Sequence, residues 1–227
     1  MRILALDTAG QGCSVALGLD GRILERHEAT PRRHAAMLLP MVEACLAEAG
    51  VAIKDMDAIA FGRGPGSFTG LRIATGVAQG IGFAADLPVL PVSSLAAAAT
   101  AAMRLHGWPQ VLIANDARMG ELYTAAYDTG EGGLPVAQAE ERLLAADALR
   151  VPPGEGWHGA GSAFSAWPEL AARLGLAGVD SSLEPSARDL LGLASAALAR
   201  GEAVAAEEAL PVYLRDQVAW QGGGQRR

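Results

Sequence analysis

The stretch from Phe61 to Val92 constrains the fold more than any other part of the chain, because strand, glycine-rich loop, helix and strand signals follow one another within it. A short apolar run is broken by Gly64-Pro65-Gly66, and Ser67 or Thr69 can cap a helix that runs to about Ala85. A second apolar run then returns as a buried strand. The sequence therefore predicts a β-α-β unit in which a helix N-terminus faces the glycine-rich loop.

The glycine-rich loop suggests an anion site, because free N–H groups and the positive end of the helix dipole would both point into it. A Walker loop would end in Gly-Lys-Ser/Thr, whereas Gly70-Leu71-Arg72 has no lysine. The third glycine of the dinucleotide fingerprint is also missing. A tight turn needed only for packing is the alternative. The candidate vestigial phosphate loop also includes two aspartates at strand ends. Its residues are Asp7, Thr8, Gly64, Gly66, Ser67, Thr69 and Asp116.

The helix after this loop has a face of small residues. Gly76, Gly80 and Ala84 recur every four positions, so another helix could approach closely there. Asp86 and Pro88 interrupt the apolar run well before the roughly 20 residues that a membrane span needs. The pattern predicts a pairing surface, with a face packed inside its own lobe as the alternative.

A second amphipathic helix is predicted from His34 to Ala49, ending at Gly50, with Pro40 kinking it or lying early in it. Its apolar stripe is wide enough to face both its own sheet and a partner. The stripe comprises Met37, Leu38, Met41, Val42, Cys45 and Leu46.

Composition limits the function classes. The chain has 227 residues, 51% of them apolar, which suits two lobes. We predict these lobes as 1–106 and 107–208. We expect the C-terminal segment, 209–227, to return to the first lobe and to be disordered after about 220. A net charge of −7 argues against binding nucleic acid unaided. Two cysteines are too few for a disulfide framework. No signal peptide is apparent, so we expect a cytoplasmic protein.

The two predicted lobes begin alike. Each has an aspartate at the end of an apolar strand, Asp7 and Asp116, and a turn glycine later, Gly21 and Gly130, with Ser14 and Tyr123 at the matching position between them. This indicates a duplication of a β-β-β-α-β-α unit, reduced in the second copy. The order is similar to the two-lobed actin-like ATPase and ribonuclease H-like α/β fold, in which such aspartates meet metal-bound phosphate. Both aspartates could equally form turns by capping their own backbone.

No catalytic or metal-ligating set emerges from the residues. A histidine pair on one helix face would need a partner four residues after His34, where Leu38 stands. There is no GxSxG elbow, and neither Cys13 nor Cys45 has an evident histidine nearby.

Four segments of the sequence together match the pattern of one protein family. The segments LALDTAGQGCSVAL, GRGPGSFTGLRIATGVAQGIGFA, NDARMGELYTAAYD and EEALPVYLRD resemble the TsaB (YeaZ) family, over nearly the whole chain and in order. Members are subunits of the bacterial machinery that makes threonylcarbamoyladenosine next to the anticodon of ANN-decoding tRNAs. The catalytic subunit of that machinery, TsaD, is a paralogue in the glycopeptidase-like group and carries an HxxxH metal pair that this chain lacks.

The resemblance implies a non-catalytic scaffold that binds a TsaD homologue and a TsaE homologue. ATP and metal are then expected on those partners and no cofactor on this chain, with tRNA bound only within the complex and a homodimer when the chain is alone. Pairing would use the helices 34–49 and 69–85 as half of a four-helix bundle. The interface residues expected on this basis are Met37, Leu38, Met41, Val42, Cys45, Leu71, Ile73, Gly76, Val77 and Gly80.

Three function classes remain open on the sequence alone. The first is the scaffold subunit. The second is a small actin-like phosphotransferase, which robust ATP turnover by the lone chain would support. The third is a glycopeptidase-like metallopeptidase, against which the missing ligands argue.

Overall fold

The first half of the chain forms one mixed sheet with helices. The computed structural model describes residues 1–29 and 33–215, and its element order in this half is β-β-β-α-β-α-β-α, which begins with the predicted β-β-β-α-β-α unit. The predicted disorder after about residue 220 lies outside the described residues. The elements are β1 (Arg2–Asp7), β2 (Cys13–Leu19), β3 (Arg22–Glu28), α1 (His34–Ala49), β4 (Ala58–Gly64), α2 (Phe68–Ala85), β5 (Val89–Ser93) and α3 (Ser94–His106).

Local chemistry explains why these elements begin and end where they do. The turn between β2 and β3 consists of Asp20 and Gly21, at φ 50° and 94°, which is the left-handed pair that a two-residue hairpin turn requires. The Ser67 hydroxyl caps α2 by accepting a hydrogen bond from the Gly70 N–H at 3.3 Å. Helix α1 ends at Gly50, whose φ is 68°, and contains Pro40 within it.

The second half repeats the topology of the first. Its elements are β6 (Gln110–Arg118), β7 (Glu121–Thr129), β8 (Pro135–Ala137), β9 (Arg142–Ala145), β10 (His158–Ala160), α4 (Ala163–Ala166), α5 (Glu169–Arg173), β11 (Val179–Asp180) and α6 (Ala187–Ala199). Strand order is β3-β2-β1-β4-β5 in the first sheet and β8-β7-β6-β10-β11 in the second, with β9 also pairing with β7. In each sheet the first three strands along the chain pair antiparallel, as β9 does with β7, and the last two strands add in parallel.

This repeat confirms the two-lobed actin-like α/β fold and its reduced second copy. Within the described residues no α-helix corresponds to α1 in the second half, and α2 is matched only by the short helices α4 and α5. Helices α4 and α5 are separated at Pro168, which cannot donate the backbone hydrogen bond that a continuous helix needs.

The last helix of each half packs on the sheet of the other half as well as near its own. Alanines of α3 pack against Val111, Ile113 and Ala125 of the second sheet. Helix α6, which the sequence placed in the second lobe, packs Leu190 and Ala194 against strands of the first sheet. Both helices thus form a layer between the sheets, whereas α1 and α2 cover the outer face of the first sheet.

The chain after α6 runs back along the first lobe. Val204 forms an isolated antiparallel bridge with Val89 at the start of β5. Ala206 and Ala209 are buried in the core of the first lobe. No helix in the described ranges is long and apolar enough to cross a membrane.

Candidate functional site

The glycine-rich loop is interlocked with the loop that follows β1. The Ser67 N–H donates to the Ala9 carbonyl oxygen at 2.8 Å, and the Thr8 hydroxyl donates to the Gly70 carbonyl oxygen at 2.7 Å. A Cβ on Gly70 would lie 1.9 Å from the Thr8 carbonyl oxygen, and one on Gly66 would lie 2.7 Å from that of Ala9. The absent side chains are therefore explained by close backbone packing.

Asp7 lies at the base of this contact and is buried. Its Oδ1 accepts a hydrogen bond from the Ala9 N–H at 2.7 Å, and its Oδ2 has no hydrogen-bond partner in the described part of the chain. Burial, together with the nearby Asp189 and Glu184 carboxylates, raises its pKa to about 6, against the opposing effects of the Ala9 N–H and His34. A buried carboxylate next to the loop would repel a phosphate that arrives without a metal ion.

Asp116 is on the second sheet, and the hydrogen bonds involving side chains that the described residues give it are with Ser162 and Arg118, not with the Asp7 loop. Its Oδ1 accepts a hydrogen bond at 2.7 Å from the N–H of Arg118, two residues later in the chain. Asp7 makes the corresponding contact with the Ala9 N–H. The hairpins differ in register: Asp7 faces Ser14, whereas Asp116 faces Leu122. The predicted match of Ser14 with Tyr123 is therefore off by one residue, because the connection after β6 is shorter and a bulge follows Asp116.

The α1 helix carries no metal pair. His34 is buried, and its Nε2 lies 2.9 Å from the Gln11 carbonyl oxygen, while Leu38 is fully buried four residues later. No group of three or more metal-ligating side chains occurs among the described residues. Burial raises the pKa of the Cys13 thiol to about 11, which makes it a poor nucleophile at neutral pH.

Half of the predicted interface residues are inside the first lobe. The α1 stripe packs into one core with apolar residues of β1, β2 and β4, and Leu71 is buried beside Gly64. These side chains hold their helices on the sheet and do not face outward. Contrary to the prediction, they are therefore not available on the surface for contact with a partner. Periodicity identified the stripe, but its own sheet covers it. The residues concerned are Leu38, Met41, Val42, Cys45 and Leu71.

The outer face of α2 is open. A Cβ on Gly76 or Gly80 would meet nothing within 4 Å. Ile73 and Val77 are half-buried at the edge of the same face, as is Met37 on α1. Phe83, one turn after Gly80, is 83% exposed. The outer α2 face is defined as Ile73, Gly76, Val77, Gly80 and Phe83. A second molecule can reach it, and all of its members except Phe83 belong to the predicted interface.

A further element at this surface is the C-terminal strap, defined as residues 209–215, which belongs to the segment that was expected to return to the first lobe. The Gln79 amide donates to the Ala209 carbonyl oxygen at 3.0 Å, and the Val212 N–H donates to that of Arg63 at 2.8 Å. These contacts hold the strap against α2 and the end of β4. No periodic signal marks such an extended segment, so the sequence did not indicate which residues of the first lobe it would contact.

The strap also reaches the second lobe. Arg215 donates to the Glu121 carboxylate at 2.6 Å and to the Arg118 carbonyl oxygen at 3.4 Å, both beside the turn between β6 and β7. The strap therefore connects the outer α2 layer to the second sheet.

Comparison with known proteins gives matches over most of the chain. The family model described as TsaD, tRNA N6-adenosine threonylcarbamoyltransferase, matches residues 26–222. The tRNA threonylcarbamoyladenosine biosynthesis protein TsaB of Escherichia coli (strain K12) is 44% identical over 226 residues, covering 97% of this chain and 97% of that protein. Its namesake from Haemophilus influenzae is 39% identical over 238 residues, covering 97% and 96%.

Solved structures agree with these relatives. The structure described as YeaZ from Pseudomonas aeruginosa superposes with a TM-score of 0.88 at 49% identity, covering 94% of this chain and 99% of that chain. A second Pseudomonas aeruginosa structure, described as an uncharacterized protein with similarity to peptidase YEAZ, gives a TM-score of 0.89 at 48% identity, covering 94% and 99%. The likeness therefore extends to both lobes and is not confined to the glycine-rich segment.

Proposed function

The chain belongs to the TsaB (YeaZ) family, and from that membership we propose that it is a non-catalytic subunit of the machinery that makes threonylcarbamoyladenosine in tRNA. The main support for a non-catalytic role comes from helix α1. His34 is buried against a backbone carbonyl, and Leu38 occupies the place where a second metal ligand would be needed. The chemistry then belongs to a TsaD-type partner, with a TsaE homologue as the further subunit.

The outer α2 face is the proposed contact with the TsaD homologue. Glycines at 76 and 80 leave the backbone accessible, so a partner helix can approach until dispersion contacts sum over many atom pairs. Exposed Phe83 adds an aromatic side chain of the kind that is enriched at interface centres. When the partner is absent, the same face is expected to pair two copies of this chain.

Replacing Gly80 by Leu tests this contact. Because the position is open and leucine favours a helix more than glycine does, the substitution should not lower the melting temperature of the lone chain, while it obstructs the partner. Size exclusion with the TsaD homologue of the same genome measures the complex. The control is Ala199→Leu, at the exposed last position of α6. A full complex with Gly80→Leu would exclude this face.

We expect no useful nucleotide affinity in the lone chain. The N–H groups of Ser67, Gly70 and Leu71 at the start of α2 already have acceptors within the protein. Isothermal titration with ATP and Mg²⁺ is the test. A low micromolar dissociation constant, roughly −8 kcal/mol, that is lost in Asp7→Asn would instead support the phosphotransferase class.

Retention of tRNA should require the assembled complex. The net charge of −7 gives the lone chain no general attraction for a phosphate backbone. A gel shift at physiological salt compares the chain alone with the chain plus its partners. Specific retention by the lone chain would contradict a purely protein-binding role.

A further inference from the structure

We infer that the C-terminal strap is part of the surface that binds the TsaD-type partner, and that Leu210 and Tyr213 extend the outer α2 face toward the start of that helix. This inference rests on the proposed function and adds a named surface to it. It concerns residues to which the proposed pairing through the outer α2 face gives no role, namely Phe68 and Arg72 of the glycine-rich segment and the strap they hold.

The strap is a fixed element of the surface. Besides the bonds to Gln79 and Arg63, its path depends on Gly64, where a Cβ would lie 2.9 Å from the Val212 carbonyl oxygen. Its far end is tied by the Arg215–Glu121 ion pair. Side chains that it presents are therefore preorganised, and little ordering entropy opposes binding.

The strap presents apolar side chains that its own fold leaves uncovered. Leu210 is 62% exposed and Tyr213 is 40% exposed. The Tyr213 ring lies 5.4 Å from that of Phe68, itself 47% exposed, at the first residue of α2. Together they continue the line of exposed residues that ends at Phe83, so the apolar surface runs along the whole helix.

A cation lies within this surface without a carboxylate partner. The Arg72 guanidinium is 3.9 Å from the centre of the Phe68 ring and donates to the Tyr213 hydroxyl at 3.3 Å. Among the described residues no Asp or Glu forms an ion pair with it, although Arg215 and Arg63 nearby each have one. The fitting partner is an apolar segment carrying a carboxylate that reaches Arg72.

A protein surface fits these features better than RNA does. Binding a phosphate backbone draws its affinity from several uncompensated cations, and here Arg215 and Arg63 are already neutralised by Glu121 and Glu141. Tyrosine, phenylalanine and arginine around a dry centre are the residue types enriched in protein interfaces.

The test measures the affinity of the full chain for the TsaD homologue of its own genome. Leu210→Asp should weaken binding by about 30-fold, and Arg72→Gln by about 10-fold with a reduced dependence on salt. The matched control is Leu105→Asp on α3, where the leucine is 57% exposed and far along the chain from the strap, and it should change affinity by less than about 2-fold.

The outcomes separate this inference from the proposed function. If the unmodified chain does not bind the TsaD homologue, the proposed function fails. If it binds and Leu210→Asp binds as tightly as Leu105→Asp, only the strap inference is overturned. Melting temperatures check folding, and Tyr213→Ala, which removes the ring from Phe68, should weaken binding as an independent variant. Loss of tRNA retention by the complex with protein affinity unchanged would assign the strap to RNA and also overturn the inference.

Discussion

Replacing Asp7 by Asn should make the protein more stable at neutral pH. The carboxyl group is buried, its Oδ2 has no hydrogen-bond partner in the described chain, and its pKa is raised to about 6, primarily by burial. Ionising it inside the protein is therefore unfavourable. An asparagine keeps a carbonyl oxygen for the Ala9 N–H and never carries the charge.

The size of this stability change follows from the pKa of Asp7 in the folded and in the unfolded state. The ordinary value is 3.8 and the folded value is about 6, so the native state holds its proton more tightly than the unfolded state. The stabilisation from the protonated acid is complete below about pH 4 and is lost as the pH rises through 6. The total is about 3 kcal/mol at 1.36 kcal/mol per pKa unit, of which about 1.4 kcal/mol falls between pH 5 and pH 8.

Urea unfolding of the unmodified protein and of Asp7→Asn at pH 5, 6, 7 and 8 measures this effect. The difference between their unfolding free energies is free of the titration of other groups, because both proteins share those groups. The difference in unfolding free energy should move by about 1.4 kcal/mol in favour of Asp7→Asn across that range. An unpaired amide N–H adds a cost of about 1 kcal/mol that does not depend on pH. A difference that stays constant within about 0.3 kcal/mol would refute a raised pKa at Asp7.

Three further substitutions test the packing with urea unfolding of the lone chain. Gly70→Ala should cost about 3 kcal/mol or prevent folding, because the new Cβ would meet the Thr8 carbonyl oxygen; a cost under about 1 kcal/mol would contradict the interlocked loops. Gly76→Ala, in the same helix but open, should instead gain about 0.5 to 1 kcal/mol, and a loss would mean that this face is covered. Asp189→Ala should cost about 2 to 3 kcal/mol, since this carboxylate caps α6 and pairs with Arg104 at 2.8 Å; an unchanged midpoint would show that neither contact matters.

Features set by local chemistry were predictable from the sequence. The Asp20-Gly21 hairpin, the Ser67 cap and the start of α6 at Ser186 with Asp189 three residues on all depend on neighbours within four positions. The duplication was also visible, because both halves need the same strand-end turn. The short strands β8 to β11 were not predicted, since so few residues carry too little periodicity and pairing across a sheet defines them.

The candidate site was predicted only in part, because apolar periodicity does not say what covers a stripe. On α1 the sheet of the same lobe covers Leu38 and Cys45, whereas on α2 the small residues Gly76 and Gly80 remain open. Both patterns look alike in sequence. The glycines of the loop were ambiguous in the same way, since close backbone packing and phosphate binding both require a missing side chain.

The helix layer between the sheets has a consequence for how this chain could be divided. A fragment ending after α3 would have no α6 to cover Ile3, Ala5 and Ala16, and its α3 alanines would lack the strands they pack on. Neither half is then a closed unit, so cutting between them should give two insoluble pieces that regain structure only when mixed. Viewed as a repeat, two half-length copies that exchange their last helices are the smallest assembly in which the inner apolar face of each sheet is covered.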